Sequence, residues 1–264
     1  MKYQKFIEEN FKIVNKDQET VPFILNDIQV SYLRDRTNKD IILKARKQGF
    51  SSLILALFAT DFLLKENSYS VVVADKTENA QGLLERVKFY LASYEQINKV
   101  KIPLKYNSKY ELDNAVMNSK YIIGTAENRD ALRSRTINNL HLSEAAFYPN
   151  IEQILASALQ ALVLDGYCVI ETTANGFNTF KSFWDKTKRS ETNFKPLFYP
   201  ASKFYTPEQL KIKKQETGRL YPQEYPESAE EAFITTGSCF FDTDQLKVYL
   251  TNIKEPMKDN LIYV

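Results

Sequence analysis

The sequence predicts an α/β fold in which a mostly parallel β-sheet is flanked by helices. Short apolar runs rich in β-branched residues alternate with longer segments whose apolar residues recur every three or four positions. Such alternation of strand and helix is typical of parallel sheets with helices on both faces. The predicted strands span residues 40–45, 69–74, 120–124, 140–142 and 166–173, and the predicted helices span residues 52–66, 77–94 and 151–164.

The chain is expected to divide into three segments. Residues 1–38 favour a helical lead-in, because Leu25, Ile28 and Leu33 can share one helical face. Residues 39–197 carry the strand and helix alternation and form the core. Residues 198–264 form a smaller lid or linker subdomain, in which proline and aromatic clusters replace that alternation. The aromatic residues there are compatible with stacking on single-stranded bases, but the neighbouring prolines favour packing of a lid against the sheet.

Composition excludes several classes of protein. The chain has 264 residues, of which 44% are hydrophobic and 26% are charged, so it can bury a sizeable core. Because 35 Lys and Arg face 33 Asp and Glu, the net charge of +2 draws the chain to neither nucleic acid nor membrane. Two cysteines and one histidine argue against a disulfide framework and a zinc site. With no secretory signal at the N-terminus and no apolar run near ~20 residues, we expect a soluble intracellular protein.

The loop after the first core strand has the character of a phosphate-binding loop. Residues 44–51, KARKQGFS, match the spacing of GxxxxGK[ST], although Lys44 occupies the first glycine position and Phe50 the lysine position. Gly49 permits close backbone approach, Ser51 offers a hydroxyl to Mg²⁺, and Lys44 or Arg46 supplies cationic charge. A basic, solvated loop is the alternative interpretation.

Two further polar groups follow apolar strands. In LHLSE, Glu144 stands where a general base would activate water, and Ser143 stands where P-loop enzymes carry a Mg²⁺-holding Asp. ETTANG, residues 171–176, has small hydroxyl and amide side chains before a glycine, which suits a turn that senses phosphate. Each piece alone also fits an ordinary strand end or turn. Together they gain weight, because open α/β sheets bind ligands at the carboxyl ends of their strands.

Five segments in the same order resemble the ATPase part of the large terminase subunit of tailed bacteriophages. They are LNDIQVSYL, KARKQGFS, NNLHLSEAAF, ETTANGF and EYPESAEEAFITTG, and the resemblance covers roughly residues 20–242. It implies a P-loop NTPase (ASCE/RecA-like) fold that binds ATP and Mg²⁺ and drives double-stranded DNA into a procapsid through the portal. It also implies the small terminase subunit as a partner, a homo-oligomeric ring on the portal, and a location in the cytoplasm of the infected bacterial host, transiently on the procapsid.

The resemblance also assigns roles to residues. Gln29 resembles the glutamine that reads adenine, Glu144 the catalytic glutamate, and Ser51 with Glu144 the Mg²⁺ site. Trans-acting arginine fingers are implied at Arg133 or Arg135, with Arg129 as a third candidate. The expected ATP-binding residues, the Walker A loop included, are Gln29, Lys44, Ala45, Arg46, Lys47, Gln48, Gly49, Phe50, Ser51 and Ser52. The expected coupling motif, which links hydrolysis to movement, is Thr172, Thr173, Ala174, Asn175 and Gly176.

Two departures from the family pattern leave alternatives open. Ser143 replaces the Walker B Asp, which leaves the way Mg²⁺ is held undetermined, and no nuclease-like cluster of Asp residues follows the ATPase part. We therefore expect ATP hydrolysis without DNA cleavage. A helicase-like translocase and a degenerate P-loop module that binds without hydrolysis are the alternative functions.

Overall fold

A computed structural model describes residues 2–126 and 136–234, together with Tyr249 and Asn252. The strands are β1 (Lys12–Val14), β2 (Thr20–Pro22), β3 (Lys39–Lys44), β4 (Tyr69–Ala74), β5 (Leu104–Asn107), β6 (Glu111–Asn114), β7 (Ser119–Thr125), β8 (Ile137–Ser143), β9 (Leu162–Thr172) and β10 (Lys195–Tyr199). The α-helices are α1 (Lys2–Asn10), α2 (Asp27–Asp35), α3 (Phe50–Leu64), α4 (Thr77–Asn98), α5 (Ile151–Ala161), α6 (Thr179–Lys188), α7 (Pro207–Thr217), α8 (Tyr221–Glu224) and α9 (Ala229–Ile234).

The predicted α/β fold is confirmed. Eight strands form one sheet in the order β10-β3-β9-β8-β4-β7-β6-β5. The strands from β10 to β7 are parallel, and β6 and β5 complete the sheet as an antiparallel extension. No helix in the described ranges combines the length and hydropathy required to cross a bilayer.

The central strands are apolar because both faces of the sheet are covered. On β3, Ile42 packs into a core with α3 and α4, whereas Ile41 and Leu43 pack into a second core with α5 and α6. Successive side chains of a strand point to opposite faces, so a strand between two helical layers needs apolar residues at almost every position. Helix α3 is itself apolar on nearly all sides, since its residues from Leu53 to Leu63 are buried between the sheet and neighbouring helices.

The lead-in contains strands as well as the helices that the sequence predicted. Helices α1 and α2 flank an antiparallel pair, β1 and β2, in which Ile13 pairs with Val21. Three-residue strands are too short to produce a clear period-two pattern, which explains why the sequence did not indicate them.

Towards the C-terminal part of the chain, β10 forms the edge of the main sheet beside β3. The sheet therefore continues two residues past the expected boundary at residue 197. Beyond β10, Ala201, Tyr205 and Tyr225 pack against Ala45 in the loop after β3. Tyr205 and Tyr225 thus serve packing, whereas Tyr249 is largely exposed, and Phe240 and Phe241 lie outside the described residues.

The strand order brings three predicted strand ends together. Strand β9 lies between β3 and β8, with Leu43 opposite Thr172 and Ser143 opposite Glu171. All three strands are parallel, so their carboxyl ends meet at one edge of the sheet. The β3–α3 loop turns across this edge with Gly49 in the left-handed region, at φ 84°.

We expect Gly49→Ala to lower the free energy of unfolding by at least about 1–2 kcal/mol, because an L side chain is strained in the left-handed region. A Cβ there would also lie 2.8 Å from Nε2 of Gln29. Gly82→Ala is the matched control: it lies within α4 with no atom within 4 Å of its Cβ position, and should stabilise by about 0.5–1 kcal/mol. Urea denaturation of both variants tests this, and equal effects would contradict it.

Candidate functional site

A cavity of about 660 Å³ opens at the carboxyl edge of the sheet, next to the β3–α3 loop. Its walls come from that loop, from strand β1, from helix α4 and from Glu144 at the end of β8. The size suits a nucleotide-sized ligand. The lining residues are Ile13, Val14, Lys44, Arg46, Lys47, Gln48, Gly49, Phe50, Ser51, Ser52, Gly82, Glu85, Arg86, Phe89, Tyr90 and Glu144.

The loop presents the N-terminus of α3 to this cavity. Lys47 and Gly49 both have positive φ, 59° and 84°, which lets the backbone turn from strand to helix. The N-cap residue of α3 is Gly49, which has no side chain to cap the helix. The first amides of a helix carry partial positive charge and have no partners within the helix, so this end of α3 can bind an anion.

The side chains of Phe50 and Ala45 are buried, although Phe50 also borders the cavity. The Phe50 ring is buried and packs against Tyr32 and Tyr199, with centroid distances of 5.7 and 4.6 Å. At the position where GxxxxGK[ST] has its lysine, this chain therefore has a core residue. Ala45 is fully buried and does not line the cavity.

Gln29 stabilises the β3–α3 loop from the side away from the cavity. It is buried, its Nε2 donates to the carbonyl oxygen of Gly49 at 2.8 Å, and its Oε1 accepts from the amide of Asn26 at 3.0 Å. Asn26 in turn donates to the carbonyl of Gln48 at 3.3 Å. The structure thus places Gln29 behind the loop and not on the cavity wall, and its adenine-reading role stays a prediction.

The C-terminal segment holds the loop from the other side. Arg46 pairs with the Glu224 carboxylate at 3.1 Å and donates its amide to the Glu224 carbonyl at 2.8 Å. The Tyr205 hydroxyl donates to the carbonyl of Arg46 at 2.8 Å, and Gln48 Nε2 donates to the carbonyl of Pro200 at 2.9 Å. The position of the loop therefore depends on residues about 150 to 180 positions away in the sequence.

Beneath the loop lies a buried ion pair. The ammonium of Lys44 is 3.1 Å from Oε2 of Glu171 and 3.1 Å from Oε1 of Glu144. The side chains of Lys44 and Glu171 are 5% and 0% exposed, whereas that of Glu144 is 36% exposed and borders the cavity. Lys44 thus joins a fully buried carboxylate to one that a ligand can reach.

The other oxygen of Glu171 collects three donors. Its Oε1 accepts from Ser51 Oγ at 2.8 Å, from Ser143 Oγ at 2.8 Å and from His141 Nε2 at 3.2 Å. His141 is fully buried at this position, as expected for a packed and hydrogen-bonded strand residue. Together with Lys44 on β3, these three donors from β8 and α3 fix the orientation of the Glu171 carboxylate.

These contacts keep both buried groups charged. Burial by itself raises the pKa of Glu171, but the Lys44 ammonium, together with His141 and Ser51, outweighs it and holds that pKa well below the usual range. Burial likewise lowers the pKa of Lys44, but Glu171 and Glu144 outweigh it, so that this pKa lies above its ordinary value. The pair therefore stays ionised across the neutral range.

Glu144 sits in a strained backbone conformation at the end of β8. Its φ is 56° although it is not a glycine, and a short 3₁₀ turn, Ala145–Phe147, follows. Its Oε2 accepts from the amide of Thr173 at 3.3 Å and contacts the hydroxyls of Thr172 and Thr173 at 3.4 and 3.5 Å. Strained residues that the surroundings hold in place are concentrated at functional sites.

The expected coupling motif continues from these contacts. Thr172 accepts from the amide of Ala146 at 3.1 Å, and Asn175 donates to the carbonyl of Ala146 at 3.2 Å. Ala174 is fully buried, and Gly176 has a positive φ of 64°. The segment from Thr172 to Gly176 is thus hydrogen-bonded to Glu144 and to the turn behind it.

Most of the predicted site residues that the structure describes lie at or next to the cavity. Further residues there were not indicated by the sequence. Glu171, Arg86 and the apolar wall of Ile13 and Val14 were missed. Glu171 did carry a signal, since it is an acid at the end of a buried strand, as Glu144 is. The three predicted arginines, Arg129, Arg133 and Arg135, lie outside the described residues.

The oxygen donors at the site suit Mg²⁺. Ser51 and Glu144 are on the cavity wall, and Mg²⁺ commonly uses one or two protein oxygens together with phosphates and water. Within the part of the chain that the structure describes, no cluster of three or more Asp, Glu, His or Cys residues could hold a metal alone. The protein groups therefore fit a metal that arrives with a phosphate ligand.

Lys44→Met should lower the free energy of unfolding by about 3–5 kcal/mol, because it leaves Glu171 buried without its cation. The double variant Lys44→Met/Glu171→Gln removes both charges and should be more stable than Lys44→Met. Lys186→Met breaks a half-exposed pair with Glu152 and should cost at most about 1 kcal/mol. Chemical denaturation of the three variants measures this, and a small effect of Lys44→Met would refute a structural role for the pair.

No protein-family model matches the chain. Solved structures do resemble it. The ATPase domain of the large terminase of Thermus phage P74-26 matches with a TM-score of 0.61 and 18% identity, over 76% of this chain and 92% of that domain. The large terminase of bacteriophage HK97 matches with a TM-score of 0.62 and 18% identity, over 87% of this chain and 49% of that chain.

A third similar structure contains a nucleotide analogue. The large terminase of a thermophilic bacteriophage in complex with ATP-gamma-S matches with a TM-score of 0.58 and 13% identity, over 76% of this chain and 52% of that chain. The chain thus corresponds to about half the length of the HK97 protein and of this thermophilic phage protein. At these identities the similarity concerns the fold, and the chain has the fold of large terminase ATPase domains, as its motifs predict.

Proposed function

We propose that the chain is the ATPase motor of viral genome packaging, which hydrolyses ATP to move double-stranded DNA into a procapsid. The observation that carries the proposal is the position of Glu144. This carboxylate faces the cavity beside the phosphate loop and is held by Lys44 on one side and the coupling motif on the other. A candidate general base, a candidate phosphate-binding loop and a contact with the expected coupling motif therefore lie at one ligand-sized cavity.

The triphosphate is assigned to the N-terminus of α3. The amides of its first turn attract anions, and Arg46, Lys47 and Arg86 add cationic charge along the same cavity. Lys44 lies at the base of the loop, paired with two carboxylates, so it contributes a fixed positive field beneath the phosphates.

The base of the nucleotide is assigned to the apolar side of the cavity. Ile13 and Val14 on β1 face the same space as Phe89 on α4. Aliphatic and aromatic side chains of this kind provide contact area for a planar base. The adenine contact predicted for Gln29 would require its side chain to leave the bonds it makes behind the loop.

Ser51 and Glu144 are the protein groups that would hold Mg²⁺. When bound, Mg²⁺ neutralises charge on the phosphate oxygens of ATP. Glu144 orients the attacking water and accepts its proton as the water oxygen bonds to the γ-phosphorus and the bond to the β–γ bridging oxygen breaks, which yields ADP and phosphate.

Product release is proposed to reach the rest of the motor through Thr172 and Thr173. Both contact the carboxylate of Glu144, so a change in the hydrogen bonds of that carboxylate directly alters the contacts of the segment from Thr172 to Gly176. The segment after β10, which holds Arg46 and Gln48, is the proposed lid that follows the phosphate loop.

Partners and location follow from the proposed function. They are double-stranded DNA, the portal of the procapsid, the small terminase subunit and further copies of the chain in a ring, within the cytoplasm of the infected host. Arg133 or Arg135, with Arg129 as a third candidate, would supply a trans-acting arginine to the neighbouring subunit.

We expect Glu144→Gln to lower kcat for Mg²⁺-dependent ATP hydrolysis by about a hundredfold to ten-thousandfold, the usual contribution of a general base. Nucleotide affinity measured in EDTA should change little, because the phosphate loop is intact. Glu152→Gln makes the same change at an exposed position of α5 and should retain parental turnover. Steady-state phosphate release measures both, and full activity of Glu144→Gln would reject its role.

A parent protein that binds nucleotide without turnover would leave two explanations. Activity is then measured again with portal and DNA present: restored turnover supports a motor that needs its ring, and continued inactivity supports the degenerate binding module suggested by Phe50 and Ser143. Strand displacement on a forked duplex would instead support the helicase-like alternative.

An arginine supplied in trans predicts that turnover per subunit rises with protein concentration. Arg133→Ala or Arg135→Ala should abolish this rise and leave nucleotide binding intact. Mixing such a variant with Glu144→Gln tests the idea directly, since each supplies what the other lacks and activity should reappear at shared interfaces. Turnover per subunit that is independent of concentration, with no recovery on mixing, would contradict it.

A further inference from the structure

Ser51 donates its hydroxyl hydrogen to a carboxylate that the cavity does not expose. The acceptor is Oε1 of Glu171 at 2.8 Å, and Glu171 is fully buried, whereas Ser51 lines the cavity. A hydroxyl has one hydrogen and two lone pairs. With the hydrogen committed to Glu171, the lone pairs of Ser51 are left to bind a cation on the cavity side.

Glu171 takes this position because of the strand order. It is the register partner of Ser143, and β9, which carries it, lies between β3 and β8. The hydroxyl of Ser143 donates to the same oxygen that Ser51 contacts, also at 2.8 Å. A carboxylate on β9 therefore reaches the place next to Ser51 that an acid at position 143 on β8 would occupy.

The carboxylate is also fixed in orientation. His141 donates to Oε1 at 3.2 Å, and the Lys44 ammonium lies 3.1 Å from Oε2. With each oxygen engaged, Glu171 cannot turn away from Ser51 without breaking an ion pair in the interior, which is costly. Groups that hold a metal ligand in place typically change metal affinity by about 10–100-fold when mutated.

We propose that Glu171 is the positioning residue that orients Ser51 toward Mg²⁺ and thereby replaces the acid absent at position 143. The proposal rests on nucleotide binding at this cavity, as the proposed function requires. Two other acids end neighbouring strands, but Glu144 is engaged with Lys44 and Thr173, and Asp75 accepts from Asn79 at 2.6 Å.

The test is the affinity for a fluorescent ADP analogue, measured with Mg²⁺ and with EDTA. The ratio of the two affinities reports how strongly the metal and the nucleotide support each other, and it needs no hydrolysis. We expect Glu171→Gln to lower this ratio about tenfold or more while affinity in EDTA changes little. Asp75→Asn, the matched change of the rival acid, should leave the ratio at the parental value.

Relocating the acid distinguishes positioning from loss of structure. Ser143→Asp/Glu171→Gln returns a carboxylate to the space between Ser51 and Lys44, and it should recover most of the ratio that Glu171→Gln loses. In a Ser51→Ala background, Glu171→Gln should add little further loss, because the two residues act as a unit. Thermal unfolding of each variant identifies any that fail to fold. If Glu171→Gln alone does not fold, the decisive comparison is between Ser143→Asp/Glu171→Gln and the parent.

Each outcome decides between the proposals. A Mg²⁺-dependent parent whose ratio survives Glu171→Gln, or is lost in Asp75→Asn instead, overturns the role of Glu171 and leaves nucleotide binding standing. Failure of the relocated acid to restore the ratio overturns the replacement of the missing acid. A parent that binds nucleotide equally well in EDTA overturns the metal proposal alone, whereas a parent that binds no nucleotide overturns the proposed function as well.

Discussion

The buried ion pair of Lys44 and Glu171 is the interaction on which the rest of the site depends. A charge within a protein interior is tolerated only when it is paired and its remaining hydrogen-bonding positions are filled. Glu171 is paired through Oε2 with Lys44, and its Oε1 accepts from Ser51, Ser143 and His141, so its partners come from β3, α3 and β8. The carboxyl ends of three strands and the start of α3 are therefore held in register by electrostatics in addition to the backbone ladder.

Under the proposed function, the pair also accounts for phosphate binding by a loop that has no lysine at the usual place. Position 50 holds a phenylalanine whose ring stabilises the contact between α3, α2 and β10. The positive charge comes instead from Lys44 at the end of β3, where the strand and two carboxylates fix it. A cation held in this way contributes a preorganised field, and it loses less conformational entropy on ligand binding than a lysine on a free loop.

The sequence predicted what depends on local pattern and missed what depends on strand order. Strands β3 and β4 were clear because both faces of each are buried, so their apolar runs are continuous. Strand β10 contains a proline and lies at the sheet edge, where β-strand patterning is weaker, and its end was assigned to the beginning of the lid. Local pattern assigns no role to Glu171, because its hydrogen-bond partners are 28 to 120 residues away and become neighbours only when β9 inserts between β3 and β8.

The proposed coupling has a physical basis in the two oxygens of Glu144. One faces Lys44, and the other faces the Thr173 amide and two hydroxyls, so the side chain joins the ion pair to the coupling motif. Hydrogen bonds to a charged group are each worth about 1.5–3 kcal/mol, which is comparable with typical allosteric coupling energies of about 1–3 kcal/mol. If a water molecule and a γ-phosphate compete for this carboxylate, the bond that it accepts from the Thr173 amide changes with the state of the nucleotide. Because Asn175 and Asn178 both donate to the carbonyl of Ala146, that change is transmitted to the turn behind Glu144 and to the start of α6.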